Sequence, residues 1–141
     1  MKQEISISWK DGMAFEANID GHKILLDAGE KVGGRNLGPR PTHLMLVALA
    51  GCTGMDVVSL LTKMKVGLDN FDVKVEGTQS EEQPVHYTGM HIIYEFWGNE
   101  LPNDQLEKTI NLSLERYCGV YAVYKEIMPV TYSIVTHLSS K

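Results

Sequence analysis

The stretch from Pro41 to Val66, PTHLMLVALAGCTGMDVVSLLTKMKV, constrains the fold more than any other part of the chain. Every residue from Leu44 to Cys52 is apolar or glycine, and Met55, Val57, Val58, Leu60 and Leu61 continue the run. It is too long for one strand and lacks the two-residue alternation of a half-buried strand, so it is predicted helical. Pro41 suits the approach to a helix, and the Thr42 hydroxyl can cap its N-terminus. Gly67 is expected to end the helix in a left-handed cap. A helix that is apolar on most sides needs burial on most sides. One thin sheet covers too little of it, so the expected architecture is a central helix wrapped by sheet and completed by a second subunit.

The flanking segments supply that sheet. Residues 3–9, QEISISW, alternate as a half-buried strand does. Met13 to Ile19 alternates again, and Lys23 to Ala28 is a third strand; Asp11-Gly12 and Asp20-Gly21 between them are strong hairpin signals. Gly29 to Arg40, GEKVGGRNLGPR, is a glycine-rich loop with two arginines, Arg35 and Arg40. After the central helix, Phe71–Thr78 and Val85–Trp97 read as a second hairpin. On the long strand, Met90, Ile92, Tyr94 and Phe96 lie opposite His91, Ile93, Glu95 and Trp97.

A second helix is expected to start with Asn103 or Asp104 as cap, with Leu106, Ile110, Leu114 and Tyr117 on its apolar face. Gly119 breaks it, a short helix follows, and Val130–Leu138 is a last strand. The order is βββ-α-ββ-α-α-β, an α+β fold. No repeat, linker or low-complexity tract appears, and 141 residues suit a single domain over 1–141.

Composition excludes several functions. The net charge of −5 argues against non-specific nucleic-acid binding, which needs a basic face. Hydrophobic residues at 43% and charged residues at 22% fit a globular rather than a disordered chain. His43 to Leu61 reaches the length of a membrane span, but Asp56 within it is costly in a bilayer, so no membrane association is expected. The N-terminus has no apolar signal core, and there are two cysteines; a cytoplasmic protein with reduced thiols is expected.

Cys52, near the middle of the central helix, is the main candidate for chemistry. A buried cysteine is most simply a small hydrophobe, inert because apolar surroundings raise its pKa. Reactivity needs a compensating cation, and the Arg35 and Arg40 loop is the obvious donor. Gly51 and Gly54 flank the site at a cost to helix stability, through close packing on a sheet or close approach of a substrate. Cys118 is either another buried small residue or a resolving thiol for an oxidised Cys52. The five histidines form no metal-ligand pattern, and no cofactor is expected. His43 lies nine residues before Cys52, about 13–14 Å along a regular helix, too far for a direct hydrogen bond.

The segment GPRPTHLMLVALAGCTGMDVVSLL, residues 38–61, resembles the central-helix motif of the OsmC/Ohr family, the osmotically inducible and organic-hydroperoxide-resistance proteins. The motif has a Gly-x-x-Pro start, here Gly38 to Pro41, then a long apolar helix carrying an Ala/Gly-Cys dipeptide. Pro41 stands eleven residues before Cys52, and Cys118 follows a second helix in RYCGVYAVY. The CTGMDVVSLL wording is closest to the small OsmC-like subgroup. The resemblance implies an intertwined homodimer whose sheets wrap the paired central helices. It implies Cys52 as peroxidatic cysteine, Cys118 as resolving cysteine, and an arginine (Arg35 first, Arg40 second) holding the thiolate. It further implies a small organic hydroperoxide as substrate and an external dithiol as reductant. The sequence departs from the family at two points. His43 stands where the peroxidases carry the glutamate that binds the arginine, so another acid such as Glu30 does that work or the cycle is weakened. Gly119 follows the second cysteine where a proline is common.

The expected function is thiol-dependent reduction of organic hydroperoxides in oxidative-stress defence. Two alternatives remain open at this point. One is a non-catalytic dimer binding a small apolar ligand. The other is a thioesterase-like hydrolase with Asp56 as base, although Asp56 also reads as a hydrogen-bonded structural carboxylate.

Overall fold

The computed structural model describes residues 1–139. The chain forms two compact units, Met1–Met45 and Leu46–Lys141, divided within a single helix. The element order is the predicted βββ-α-ββ-α-α-β, with a short 3₁₀ turn at Glu30–Val32 and a π-helical turn at Ser113–Tyr117.

In the first unit, β1 (Ser6–Asp11), β2 (Ala14–Ile19) and β3 (His22–Leu26) form an antiparallel meander. Ile19 pairs with His22, so Asp20 and Gly21 are a two-residue loop. Both have positive φ, +50° and +84°, the requirement of the tight turn whose twist matches the flanking strands. Asp27 then organises the loop that follows. It is 3% exposed, and its carboxylate accepts the backbone N–H groups of Ala28 (2.7 Å), Arg35 (3.2 Å) and Leu37 (3.1 Å). Burial works to raise its pKa, but these donors outweigh burial and hold it below the ordinary value. Gly34 and Gly38 are tied to the same packing: a Cβ at either would collide with a backbone carbonyl, that of Ala28 or of Leu25.

The second unit holds most of α1 (Pro41–Lys63) with β4 (Asn70–Gln79), β5 (Tyr87–Trp97), α2 (Asn103–Leu112), α3 (Gly119–Tyr124) and β6 (Val130–His137). β4 and β5 are antiparallel, β6 runs parallel to β5, and β5 is central. The core face of β5 is the one predicted: Met90, Ile92, Tyr94 and Phe96 are buried. Phe71 of β4 stacks on Phe96 with ring centroids 4.7 Å apart. On the opposite face Glu95 joins Lys74 (2.6 Å) and His137 (2.9 Å).

Both ends of α1 differ from the sequence expectation. The helix includes Pro41 itself, which puts Thr42 in the first turn rather than at the cap. At the other end the left-handed residue is Lys65 (φ +60°), not Gly67. Lys65 N–H donates to Thr62 O and Val66 N–H to Leu61 O, the paired bonds of a Schellman closure, in which the position of Lys65 ordinarily favours glycine. Reversal is forced there because the chain must leave for β4, and Gly67 comes two residues too late.

Along α1 the buried residues are Leu49, Thr53, Val57 and Leu61, a single stripe at four-residue spacing. Val47, Met55 and Val58 are exposed at 61%, 76% and 46%. One chain therefore covers one side of a helix that is apolar nearly all round.

The start of α2 is also a correction: Pro102 holds the cap position, with no side-chain cap bond, and Asn103 is the first helical residue. Leu106, Ile110 and Leu114 are buried as expected, but Tyr117 is 58% exposed. The π-helical turn explains this. One extra residue in the turn rotates everything after it by about 100°. Cys118, 2% exposed, thereby takes the inward place that the regular helical spacing assigned to Tyr117.

Candidate functional site

The two cysteines meet within the second unit. Cys52 is half-buried on α1, and Cys118 is buried at the junction of the π-turn and α3; both are free thiols. The side chain of Cys52 lies near enough to the Cys118 thiol to raise its pKa. Cys118 is held on all sides. Its N–H donates to Ser113 O (2.7 Å), its carbonyl accepts from Ala122 N–H (3.1 Å), and its sulfur accepts from Tyr121 N–H (3.4 Å). Burial pushes its pKa up to about 11, the Tyr121 N–H opposes the shift, and the neighbouring Cys52 adds to it. Cys118 therefore stays a protonated thiol at neutral pH.

A chain of buried polar side chains runs beside the pair. Thr53 Oγ1 lies 2.8 Å from the Tyr94 hydroxyl and 2.7 Å from Ser113 Oγ, and Ser113 Oγ donates to Asp56 Oδ2 at 2.8 Å. Thr53, Tyr94 and Ser113 are each 0% exposed. A hydroxyl has one proton to donate. Ser113 gives its proton to Asp56, so Thr53 donates to Ser113 and Tyr94 donates to Thr53. Burial holds the Tyr94 hydroxyl well above its ordinary pKa, which keeps it a donor. Asp56, the base of the hydrolase alternative, is thus engaged in a structural hydrogen bond.

The glycines beside Cys52 separate. A Cβ on Gly54 would come 3.3 Å from Val73 of β4, which is the helix-to-sheet packing reading. Gly51 has nothing within 4 Å of such a position in the single chain.

In the first unit Arg35 is exposed and pairs with Asp11 at 3.6 Å. Arg40 donates to Asn36 Oδ1 (2.6 Å) and Gly38 O (3.2 Å), which ties it into its own loop. The acid beside Arg35 is Asp11, which in the sequence is a hairpin-turn residue; Glu30 lies exposed in the 3₁₀ turn. Thr53, Tyr94 and Ser113 do not stand out as a set in the sequence. The available signals were a threonine on the buried stripe of α1 and a tyrosine on the core face of β5, each in need of a partner. Among the described residues no group of three or more His, Cys, Asp or Glu could hold a metal ion.

The model of the family described as OsmC-like protein matches residues 33–133, which include both cysteines and the hydroxyl chain. The chain belongs to the OsmC-like family. It is 29% identical over 130 residues to protein YhfA of Escherichia coli K12, covering 90% of this chain and 92% of YhfA. A crystal structure from Aquifex aeolicus shares the fold with a TM-score of 0.85 at 24% identity, covering 99% of both chains. An organic hydroperoxide resistance protein OsmC from Legionella pneumophila shares it with a TM-score of 0.69 at 15% identity, covering 96% of this chain and 97% of that one. By length and composition α1 could cross a membrane. The helix lies wholly within the residues that the OsmC-like family model matches.

Proposed function

We propose that the protein reduces organic hydroperoxides through Cys52 and Cys118, in defence against oxidative stress in the cytoplasm. The observation that carries this reading is the meeting of the only two thiols of the chain, which come from distant segments. The Cys52 thiolate attacks the O–O bond, giving Cys52 sulfenic acid and an alkoxide that is protonated to the alcohol. The Cys118 sulfur then displaces the sulfenic hydroxyl as water, its own proton leaving with that water, and a disulfide forms. An external dithiol reduces the disulfide. The Cys52 thiolate and the departing alkoxide need a cation, and the arginines of the loop before α1 are the candidates for it. Arg35 is the better candidate, because its present partner is an exposed ion pair of little strength, whereas Arg40 is used within its loop.

The working form is a homodimer, in which a second copy covers the exposed apolar residues Val47, Met55 and Val58 of α1. One equivalent of an organic hydroperoxide added to the reduced protein tests the chemistry. Both thiols should be lost, with a Cys52–Cys118 crosslink in the digest. Survival of both thiols in excess peroxide would remove the reading.

A second reading, binding of a small apolar ligand, draws on a hollow of about 460 Å³ in the first unit, whose lining includes Ile7, Met13, Phe15, Leu26, Val32 and Arg40. It requires saturable uptake of an apolar probe by a Cys52→Ser variant.

A further inference from the structure

Ser113 is the residue through which α1 and the Cys118 segment are joined. Its side chain binds Thr53 and Asp56, both on the helix that carries Cys52, and Thr53 is the very next residue. Its main-chain carbonyl accepts the Cys118 N–H at 2.7 Å, across the π-helical turn. Side chain and backbone of one buried serine therefore fix the two cysteines to each other. We infer that Ser113, with its partners Thr53 and Asp56, is a positioning device that sets the reach of Cys118 to Cys52. This inference rests on the proposed disulfide chemistry for its use, but its geometry can be tested without a peroxide.

The extra residue of the π-turn is part of the device. In a regular α-helix the Ser113 carbonyl would accept from Tyr117, and Cys118 would follow Tyr117 by one position around the axis. The i→i−5 bond brings Cys118 inward instead, and Tyr117 faces solvent. Such a turn loses regular helical bonding and needs an anchor. The two hydrogen bonds of the Ser113 side chain supply one. Tyr94, at the end of the chain, donates to Thr53 and completes its bonding from β5.

The test is the equilibrium of the Cys52–Cys118 pair with a mixture of oxidised and reduced dithiothreitol. The two protein thiols give two electrons and two protons to oxidised dithiothreitol, forming the protein disulfide and reduced dithiothreitol. The equilibrium constant measures how well the thiols are pre-positioned. Ser113→Ala and Thr53→Val should each lower it by about five- to tenfold through loss of a buried hydrogen bond. Thr53→Ser, which keeps the hydroxyl, should stay within about twofold of the parent, and alkylation of Cys52 should be unchanged in all three.

If Ser113→Ala does not fold, Asp56→Ala decides, since Asp56 is only half-buried and lies outside the buried stripe of α1; it too should lower the constant. Folded variants with a parental constant, or a parent that forms no disulfide with dithiothreitol, would overturn the inference. A parent that forms the disulfide with dithiothreitol but not with hydroperoxide would remove the proposed function and leave the positioning role standing.

Discussion

The order of events in the proposed cycle depends on Cys118 staying protonated until Cys52 is oxidised, and this can be tested by alkylation. With its pKa pushed up to about 11, Cys118 is ionised in about 1 molecule in 10,000 at pH 7. A thiol at the ordinary value of 9.0 is ionised in about 1 in 100, so Cys118 should alkylate about a hundredfold more slowly than such a thiol.

The perturbation is Cys52→Ser, which isolates Cys118 and removes the neighbour that adds to its shift. Burial is the larger cause and remains, so the slow rate should persist with at most a modest rise. The assay follows iodoacetamide addition by intact mass between pH 7 and 11.5. The rate should climb about tenfold per pH unit and continue climbing past pH 9. A plateau near pH 9, or a rate at pH 7 within tenfold of an exposed thiol, would refute the reasoning. A rate that is slow but flat in pH would mean that access rather than ionisation limits the reaction. The same shift fixes a sign for stability. The folded state holds the Cys118 proton more tightly than the unfolded chain. Stability is therefore intact below about pH 9 and declines as pH rises toward 11.

Other predictions concern the scaffold. Lys65→Gly should stabilise the protein by about 0.5–1 kcal/mol in urea unfolding, because it removes a side chain from a left-handed position; destabilisation would contradict the Schellman closure. Gly34→Ala or Gly38→Ala should cost about 2 kcal/mol or more, since each Cβ meets a backbone carbonyl, and a melting temperature equal to the parent's would contradict that packing. In Glu95, bonding and attraction to Lys74, then to His137, hold the pKa below the ordinary value, and Asp27 is also held low. Their contribution is present at neutral pH and is lost as pH falls through their depressed folded values. Acid titrations of Asp27→Asn and Glu95→Gln should show a smaller fall in stability below about pH 4 than the parent shows.

The parts of this fold that were legible in sequence are those set by local chemistry. Asp20-Gly21 can take two positive φ values in succession, and the alternation on β5 assigns its buried face without reference to the rest of the chain. The parts that were not legible depend on partners distant in sequence. Lys65 adopts a left-handed conformation because the helix must end before Gly67, a requirement imposed by the start of β4. Tyr117 leaves the core because one residue is absorbed in a π-turn. Helical periodicity cannot register that when the next residue, Cys118, is equally able to be buried.

The candidate site divides in the same way. Cys52 and Cys118 stand out by type and scarcity. Thr53 and Ser113 look like small helix residues until Tyr94 and Asp56 are seen beside them. Arg35 was visible as a cation in a glycine-rich loop, but its pairing with Asp11 depends on the fold of the meander.

The most direct test of the central claim is the intact mass of the fully reduced protein after one equivalent of an organic hydroperoxide. The expected result is a loss of about 2 Da, disappearance of both free thiols, and a Cys52–Cys118 peptide pair in the digest. An unchanged mass with both thiols still titratable after an hour in large excess of peroxide would contradict it, and would make the two cysteines packing residues of an OsmC-like fold.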